Sequence, residues 1–211
     1  ESGVPTFRGA GETWRNRRFD ELATAKMFAD DPRLVWDWYL YRRQTIAGCE
    51  PNAAHHALVE RAKRTPNMTL VTQNVDGLHE RAGHPDVIRL HGSIWGNRCM
   101  GCETWRDASG ETVYEGLPLS PCCHVLERPA VVWFGESISR QVRMKPFRRL
   151  AKADALLVVG TSGTVQPAAL FWQVAMEMSI PVINVNPEPS AVQPTIDLRG
   201  PATQILPKIL I

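Results

Sequence analysis

The chain has 211 residues, 44% of them hydrophobic, enough to bury a full core as one large domain or two small ones, which argues against disorder. Lys and Arg number 24 against 22 acidic residues, a formal net charge of +2, and no long block of one sign stands out, so charge gives no support to a nucleic-acid or membrane-surface role. The longest apolar runs, such as Ala155 to Val159, fall far short of the roughly 20 residues a membrane-spanning helix requires.

The sequence opens on Glu1 without an initiator Met and without a secretory signal, so the natural chain is expected to extend upstream, with a targeting segment among the residues it could carry there. Residues from about 12 to 50 are rich in Trp, Tyr and Arg and read as helical. Ala53–Arg64 follows as a helix. Thr69–Thr72 is a short apolar strand that ends in Gln73-Asn74-Val75-Asp76, and Val87–Leu90 is a second, ending in His91-Gly92-Ser93. Residues from about 96 to 128 hold most of the cysteines and show little periodicity. A helix is expected over Gln141–Lys152 and a strand over Ala155–Val159, ending in Gly160-Thr161-Ser162. A helix over Ala168–Met178 and a strand over Pro181–Val185, ending in Asn186-Pro187-Glu188, complete the series. No internal repeat or low-complexity tract interrupts it.

Strands apolar on both faces and alternating with helices are the mark of a parallel sheet covered on each side. The expected fold is therefore α/β: a doubly wound, Rossmann-like parallel sheet at about 1–11, 51–95 and 129–211. A smaller lobe is expected from a helical insertion at about 12–50 and a cysteine-bearing, zinc-ribbon-like insertion at about 96–128. In such sheets a ligand sits at the carboxyl ends of the strands. Four polar clusters at four strand ends describe a nucleotide site better than any one of them does.

The five cysteines are Cys49, Cys99, Cys102, Cys122 and Cys123. An odd number with four crowded together suits a metal site in a reducing compartment better than a disulfide framework, so the compartment is expected to be the cytoplasm, or a mitochondrial interior where an upstream targeting segment has been lost.

Five blocks carry a resemblance: Glu1 to Gly9 (ESGVPTFRG), Thr72 to His79 (TQNVDGLH), Leu90 to Ser93 (LHGS), Val131 to Glu136 (VVWFGE) and Val158 to Ser162 (VVGTS). In this order and spacing they resemble the signature blocks of the sirtuin family over nearly the whole chain. One departure is large: the family's first strand and its Gly-Ala-Gly turn, which supply backbone N–H groups to a pyrophosphate, would lie upstream of residue 1. The resemblance implies an enzyme that uses NAD to remove an acyl group from protein lysines, releasing nicotinamide, 2'-O-acyl-ADP-ribose and free lysine. The partners implied are acyl-lysine proteins or peptides, with neither nucleic acid nor membrane, and the protein is expected to be a monomer. Two alternatives stay open, a protein ADP-ribosyltransferase and a non-catalytic NAD-sensing module.

The resemblance also assigns residues. A ribose hydroxyl must be deprotonated by a base of near-neutral pKa, and histidine is the side chain with such a value. His91 matches the catalytic histidine, with Asn74 beside the ribose, whereas His55, His56, His79, His84 and His124 match no catalytic block. Pro5, Thr6, Phe7 and Arg8 lie in a loop similar to the family's cofactor-binding loop, Phe7 shielding the reactive ribose from water. Gln73 and Asn74 would contact the ribose or an ordered water, and Asp76 the nicotinamide carboxamide, although Asp76 alone reads equally well as a helix cap. Gly160, Thr161, Ser162, Asn186, Glu188 and Ala202 fit the adenosine half of NAD. Val132, Phe134, Gly135 and Glu136 offer a backbone edge for an extended substrate peptide.

In the cysteine cluster, Cys99-x-x-Cys102 is one half of a zinc knuckle. Alignment backward from Arg128-Pro129 puts the second pair at 120 and 123, but position 120 is Ser. A structural zinc ion is expected on Cys99, Cys102 and Cys123, the fourth ligand being Cys122, His124 or none, with reduced free thiols as the alternative. Tyr39 and Arg42 stand three apart, on one face of a helix. With Ala23 they resemble the subgroup of sirtuins acting on succinyl, malonyl and glutaryl lysine, the alternative being an amphipathic helix with solvated arginines.

Overall fold

The structure, a computed structural model, describes residues 1–5, 13–161, 168–189 and 193–210. Thr6, Phe7, Arg8 and Ser162, expected at the cofactor, lie outside the described residues.

The helical insertion begins with a hairpin of two-residue strands, β1 (Thr13–Trp14) and β2 (Arg17–Arg18), and continues through α1 (Phe19–Leu22), α2 (Ala25–Asp30) and α3 (Pro32–Ala47). The start of α3 is fixed locally. Pro32 occupies the first turn, and the Asp31 carboxylate accepts the Leu34 N–H at 2.9 Å, satisfying a donor the helix itself cannot. Val35, Tyr39, Arg42 and Ile46 recur at helical spacing and are all buried, so the α3 stripe that faces the core includes a guanidinium.

The chain then enters α4 (Ala53–Arg64), β3 (Leu70–Thr72), α5 (Leu78–Arg81) and β4 (Val87–Arg89). Asn52 caps α4 by accepting from the Ala54 N–H at 3.0 Å, and three cations, Arg61, Lys63 and Arg64, occupy its last turn, where they complement the helix dipole. β5 (Gly92–Cys99), β6 (Trp105–Asp107) and β7 (Glu127–Val131) form an antiparallel sheet of order β6-β5-β7. The remainder is α6 (Arg140–Leu150), β8 (Leu156–Val159), α7 (Ala168–Glu177), β9 (Val182–Asn186), β10 (Ile196–Arg199) and α8 (Ala202–Ile209).

Among the described residues, every ladder in the larger lobe is parallel. β3 pairs with β4, and β8, β9 and β10 pair in the order β10-β9-β8. The expected single sheet is hydrogen-bonded as these two pieces, and among the described residues no strand pairs with both β3 and β8. Packing nevertheless unites them. Val71, Leu90, Leu156, Val158 and Val182 share one core with Phe171 and Trp172 of α7 and Leu150 of α6. Leu70, Val87, Leu157, Val159 and Val185 share another with Ala54 and Leu58 of α4 and Leu206 of α8. Neighbouring strand residues thus feed opposite cores, the period of two that buries a sheet on both faces.

The third core belongs to the smaller lobe and joins its two insertions: Phe19, Leu22, Phe28, Trp36, Trp38, Tyr39 and Ile46 pack with Ile94, Val131 and Trp133. Arg43, fully buried, ties α3 to this sheet by donating to the Ile94 carbonyl at 2.7 Å and to Asn97 Oδ1 at 2.7 Å. The seams expected at 95/96 and 128/129 fall inside β5 and β7, so the cysteine-bearing insertion grows out of an antiparallel pair whose register shifts between Gly92 and Asn97. Charge is also less evenly spread than the sequence suggests. α6 carries Arg140, Arg143, Lys145, Arg148 and Arg149 with no acidic residue, all exposed. No described helix is long and apolar enough to cross a membrane.

Candidate active site and cysteine centre

The carboxyl ends of β3, β4, β8 and β9 bring the polar clusters together. Gln73 Nε2 donates to Thr161 Oγ1 at 3.4 Å, and Asn186 Nδ2 donates to the Thr161 carbonyl at 3.0 Å, so one residue at the end of β8 links the ends of β3 and β9. Asn74 donates its backbone N–H to Thr72 Oγ1 at 3.0 Å. Gly160 lies in the left-handed region at φ +60, with open space where a Cβ would stand. Asn186 Oδ1 accepts the Glu188 N–H at 3.2 Å, Glu188 itself being exposed. Ala202 opens α8 and packs on the adjacent core.

His91 follows β4, and its Nδ1 lies 3.0 Å from the Gln73 carbonyl oxygen. Only a protonated Nδ1 makes that contact favourable, which leaves Nε2 as the basic nitrogen. The next residue must be glycine. An added Cβ at Gly92 would lie 2.1 Å from the Ala130 carbonyl oxygen, and its φ is +78. This close approach brings β7 alongside, and Val132 donates its N–H to the His91 carbonyl at 2.9 Å. The expected base and the expected peptide-binding segment are therefore built on one another.

Asp76 is 7% exposed, and burial pushes its carboxyl above the usual range despite the Leu78 N–H donated to Oδ1 at 2.8 Å. The capping role is thus real, and the desolvated carboxyl remains beside the strand ends. Nearby, the rings of His55 and His79 pack at a tilt, with centroids 4.8 Å apart. Burial lowers both imidazoles, His79 to about 4. The sequence offered no sign of this pairing, because the two residues lie on α4 and α5.

The expected acyl-binding residues are all buried, Ala23 at 3%, Tyr39 at 1% and Arg42 at 3% exposure, which removes the alternative of solvated arginines on α3. The Arg42 guanidinium carbon lies 5.5 Å from the Phe19 ring centre and 5.6 Å from that of Trp38. Its Nη2 donates to the Pro5 carbonyl at 3.5 Å, a long contact that joins this pocket to the start of the expected cofactor loop. Tyr39 Oη accepts the Trp133 Nε1–H at 2.9 Å.

In the 132–136 segment the Phe134 N–H is donated to the Ala23 carbonyl at 2.9 Å, so part of the expected peptide-binding edge is paired within the chain. Glu136 is likewise engaged. Its carboxylate takes both Arg128 Nη1 and Nη2, at 2.6 and 2.9 Å, and the Trp133 N–H at 2.8 Å. Burial opposes its ionisation, but these donors outweigh burial and hold its pKa below the ordinary value. Its backbone N–H is also used, donated to the Trp133 carbonyl at 3.0 Å. Gly135, at φ +82, faces open space.

Cys99, Cys102, Cys122 and Cys123 place their four sulfurs within 4.8 Å of one another. A tetrahedral zinc ion with Zn–S bonds of about 2.3 Å needs sulfurs roughly 3.8 Å apart, so the set fits one ion. Cys122 is the fourth member and His124 is not among them. Ser120, buried, donates its hydroxyl to Cys99 Sγ at 3.1 Å. A serine thus stands where the regular knuckle spacing would put a cysteine, and supports a ligand instead of being one. The adjacent pair 122–123 chelates because the chain turns back here, with Ser120 accepting the His124 N–H at 2.9 Å and donating its own to Val125 at 2.8 Å. Thr104 lowers the Cys102 thiol to about 6, while the Cys123 thiol, donating to Cys102 and Cys122, is pushed up to about 12, and a bound divalent ion favours the thiolate form of its ligands.

Comparison with known proteins agrees with this arrangement. The Sir2 family profile matches residues 1–167. An NAD-dependent protein deacylase of Pseudomonas aeruginosa is 46% identical over 220 residues, covering 100% of this chain and 88% of the relative. The one from Pyrococcus furiosus is 44% identical, with 100% and 87% covered. A solved Sir2 homologue in complex with NAD superposes with a TM-score of 0.92 at 38% identity, over 99% of this chain and 82% of that one. Another, bound to 2'-O-acetyl ADP ribose, gives 0.92 at 38% identity, with 99% and 85% covered. With both the parallel-stranded lobe and the cysteine-bearing insertion accounted for, the chain belongs to the Sir2 family.

Proposed function

We propose that this chain is an NAD-dependent protein-lysine deacylase whose acyl pocket takes carboxylate-bearing groups such as succinyl and malonyl, and acetyl less well. The observation that carries the finer part is the burial of Arg42 and Tyr39 one helical turn apart on α3. A succinyl group brings a carboxylate into a cleft where an unpaired charge is strongly disfavoured. A guanidinium meets it with two parallel N–H donors, and a phenol adds a third bond. An acetyl group gives that cation no partner.

NAD supplies the electrophilic ribose carbon that accepts the acyl oxygen as nicotinamide leaves. This chain's own residues do the rest. His91, with Nδ1–H donated to the Gln73 carbonyl, takes a proton at Nε2 from a ribose hydroxyl. Asn74 and Gln73 position the ribose, Asp76 accepts from the carboxamide, and Pro5, Thr6, Phe7 and Arg8 bind the cofactor, with shielding of the ribose from water assigned to Phe7. Gly160, Thr161, Ser162, Asn186, Glu188 and Ala202 bind the adenosine half. The edge at Val132, Phe134 and Gly135 aligns the peptide, and Cys99, Cys102, Cys122 and Cys123 hold a structural zinc ion. A reduced four-thiol centre suits the cytoplasm.

The test is incubation with NAD and a panel of acyl-lysine peptides, products identified by mass spectrometry. Free 2'-O-acyl-ADP-ribose and unmodified lysine are expected, with succinyl peptide turned over faster than acetyl. ADP-ribose attached to protein, or NAD left unconsumed, would contradict the reading.

A further inference from the structure

Trp133 lies in the peptide-binding segment, yet its side chain points away from the backbone edge into the smaller lobe. It is 3% exposed, and its indole N–H meets the oxygen of Tyr39, itself 1% exposed, at 2.9 Å. An indole nitrogen is a donor only. The phenol oxygen must accept in this contact, so its single proton points elsewhere. Tyr39 is thereby left as an oriented hydroxyl donor, and burial raises its pKa, which keeps the proton in place.

The indole that sets this direction is itself fixed on three sides. The Arg128 guanidinium lies 3.5 Å from its ring centre, and the Phe28 ring packs with centroids 5.1 Å apart. Its backbone N–H is held by the Glu136 carboxylate, which pairs with Arg128 in turn. Arg128 also donates to the Val131 carbonyl at 3.0 Å, so the same cation grips the chain on both sides of Trp133. A donor held this way loses little freedom when a ligand arrives.

We propose that Trp133 is a positioning residue for acyl selectivity: by donating to the Tyr39 oxygen it turns the phenolic O–H into a preset donor for an acyl carboxylate. The inference rests on the acidic-acyl reading of Arg42 and Tyr39. Tyr39 alone would spend part of its time with its proton turned toward another acceptor. With Trp133 in place that orientation is closed off. A phenylalanine at 133 would keep most of the packing and lose only the N–H.

The experiment compares wild type, Trp133→Phe, Tyr39→Phe, the double variant and Arg42→Met, reading for each the ratio of kcat/KM on succinyl-lysine and acetyl-lysine versions of one peptide. Loss of folded protein lowers both activities alike, so the ratio reads the pocket rather than the yield. A neutral hydrogen bond accounts for roughly threefold to tenfold. Trp133→Phe is expected to lower the ratio by about that factor, and to leave it unchanged when introduced into Tyr39→Phe. A ratio untouched by Trp133→Phe, or one that falls equally in both backgrounds, overturns the proposal. Where Arg42→Met lowers the ratio and Trp133→Phe does not, the role of Trp133 alone fails. If Arg42→Met leaves the ratio unchanged, the acidic-acyl reading fails and the role of Trp133 with it.

Discussion

The Nδ1 atom of His91 lies 3.0 Å from the Gln73 carbonyl oxygen, so the end of β3 sets the tautomer of the proposed base at the end of β4. Replacing the base should remove chemistry without removing the site. His91→Ala is expected to lower turnover on the order of 100-fold or more, since general-base catalysis contributes at least that much, while NAD binding measured by calorimetry stays within a few-fold of wild type. A variant that keeps more than about a tenth of the wild-type rate would show that His91 is not the base.

The cysteine centre makes a prediction about stability. Its sulfurs stand at the end of β5, on the turn that follows it and on the turn after Ser120, away from the strand ends that carry the candidate active site, so metal should act through folding. Chelation is expected to lower Tm, with activity per folded molecule nearly preserved. Cys122→Ser should lose zinc in metal analysis and His124→Ala should keep it. Zinc retained by Cys122→Ser would remove Cys122 from the ligand set.

His79 predicts a pH dependence. Burial holds its pKa near 4, below the 6.5 of an unfolded chain, and among the described residues its buried Nδ1 has no hydrogen-bond partner. The unfolded chain therefore takes up a proton, as pH falls through 6.5, that the folded one resists until about 4. Stability is full above pH 6.5 and declines between 6.5 and 4, by up to about 3 kcal/mol from this group. Urea denaturation at pH 7 and pH 5 should show the decline in wild type and a smaller one in His79→Gln. An equal decline in both would assign the effect to other groups.

What the sequence made legible depended on how far apart the interacting residues were. Ala53–Arg64 is the observed α4, because its cap, Asn52, lies immediately before it. The strands at 70–72, 87–89, 156–159 and 182–186 fall within about a residue of expectation, since β-branched runs buried on both faces need no partner to be recognised. β10 was not foreseen: Ile196–Arg199 is an edge strand with only Leu198 less than exposed, too polar to stand out. Nor were β5, whose Asn97 is held by Arg43 from across the lobe, and β7, whose Arg128 and Pro129 do not read as a strand. In the site, the serine at 120 breaks the regular knuckle spacing, and it is a supporting donor because Cys122 supplies the fourth sulfur. Trp133 stood in plain view within a signature block, but its partner is 94 residues earlier in the chain.

Arg42 carries the central claim, that this pocket reads the charge at the far end of the acyl chain. The most direct measurement is kcat/KM on succinyl-lysine and acetyl-lysine peptides for wild type and Arg42→Met. Charge-assisted hydrogen bonds contribute roughly 1.5 to 3 kcal/mol, about one to two decades. The account predicts that Arg42→Met lowers the succinyl-to-acetyl ratio on the order of 10- to 100-fold, and that Arg42→Lys restores only part of it, because an ammonium keeps the charge and loses the planar fork. If Arg42→Met depresses both activities equally, Arg42 supports the fold rather than the choice of acyl group, and the claim is contradicted.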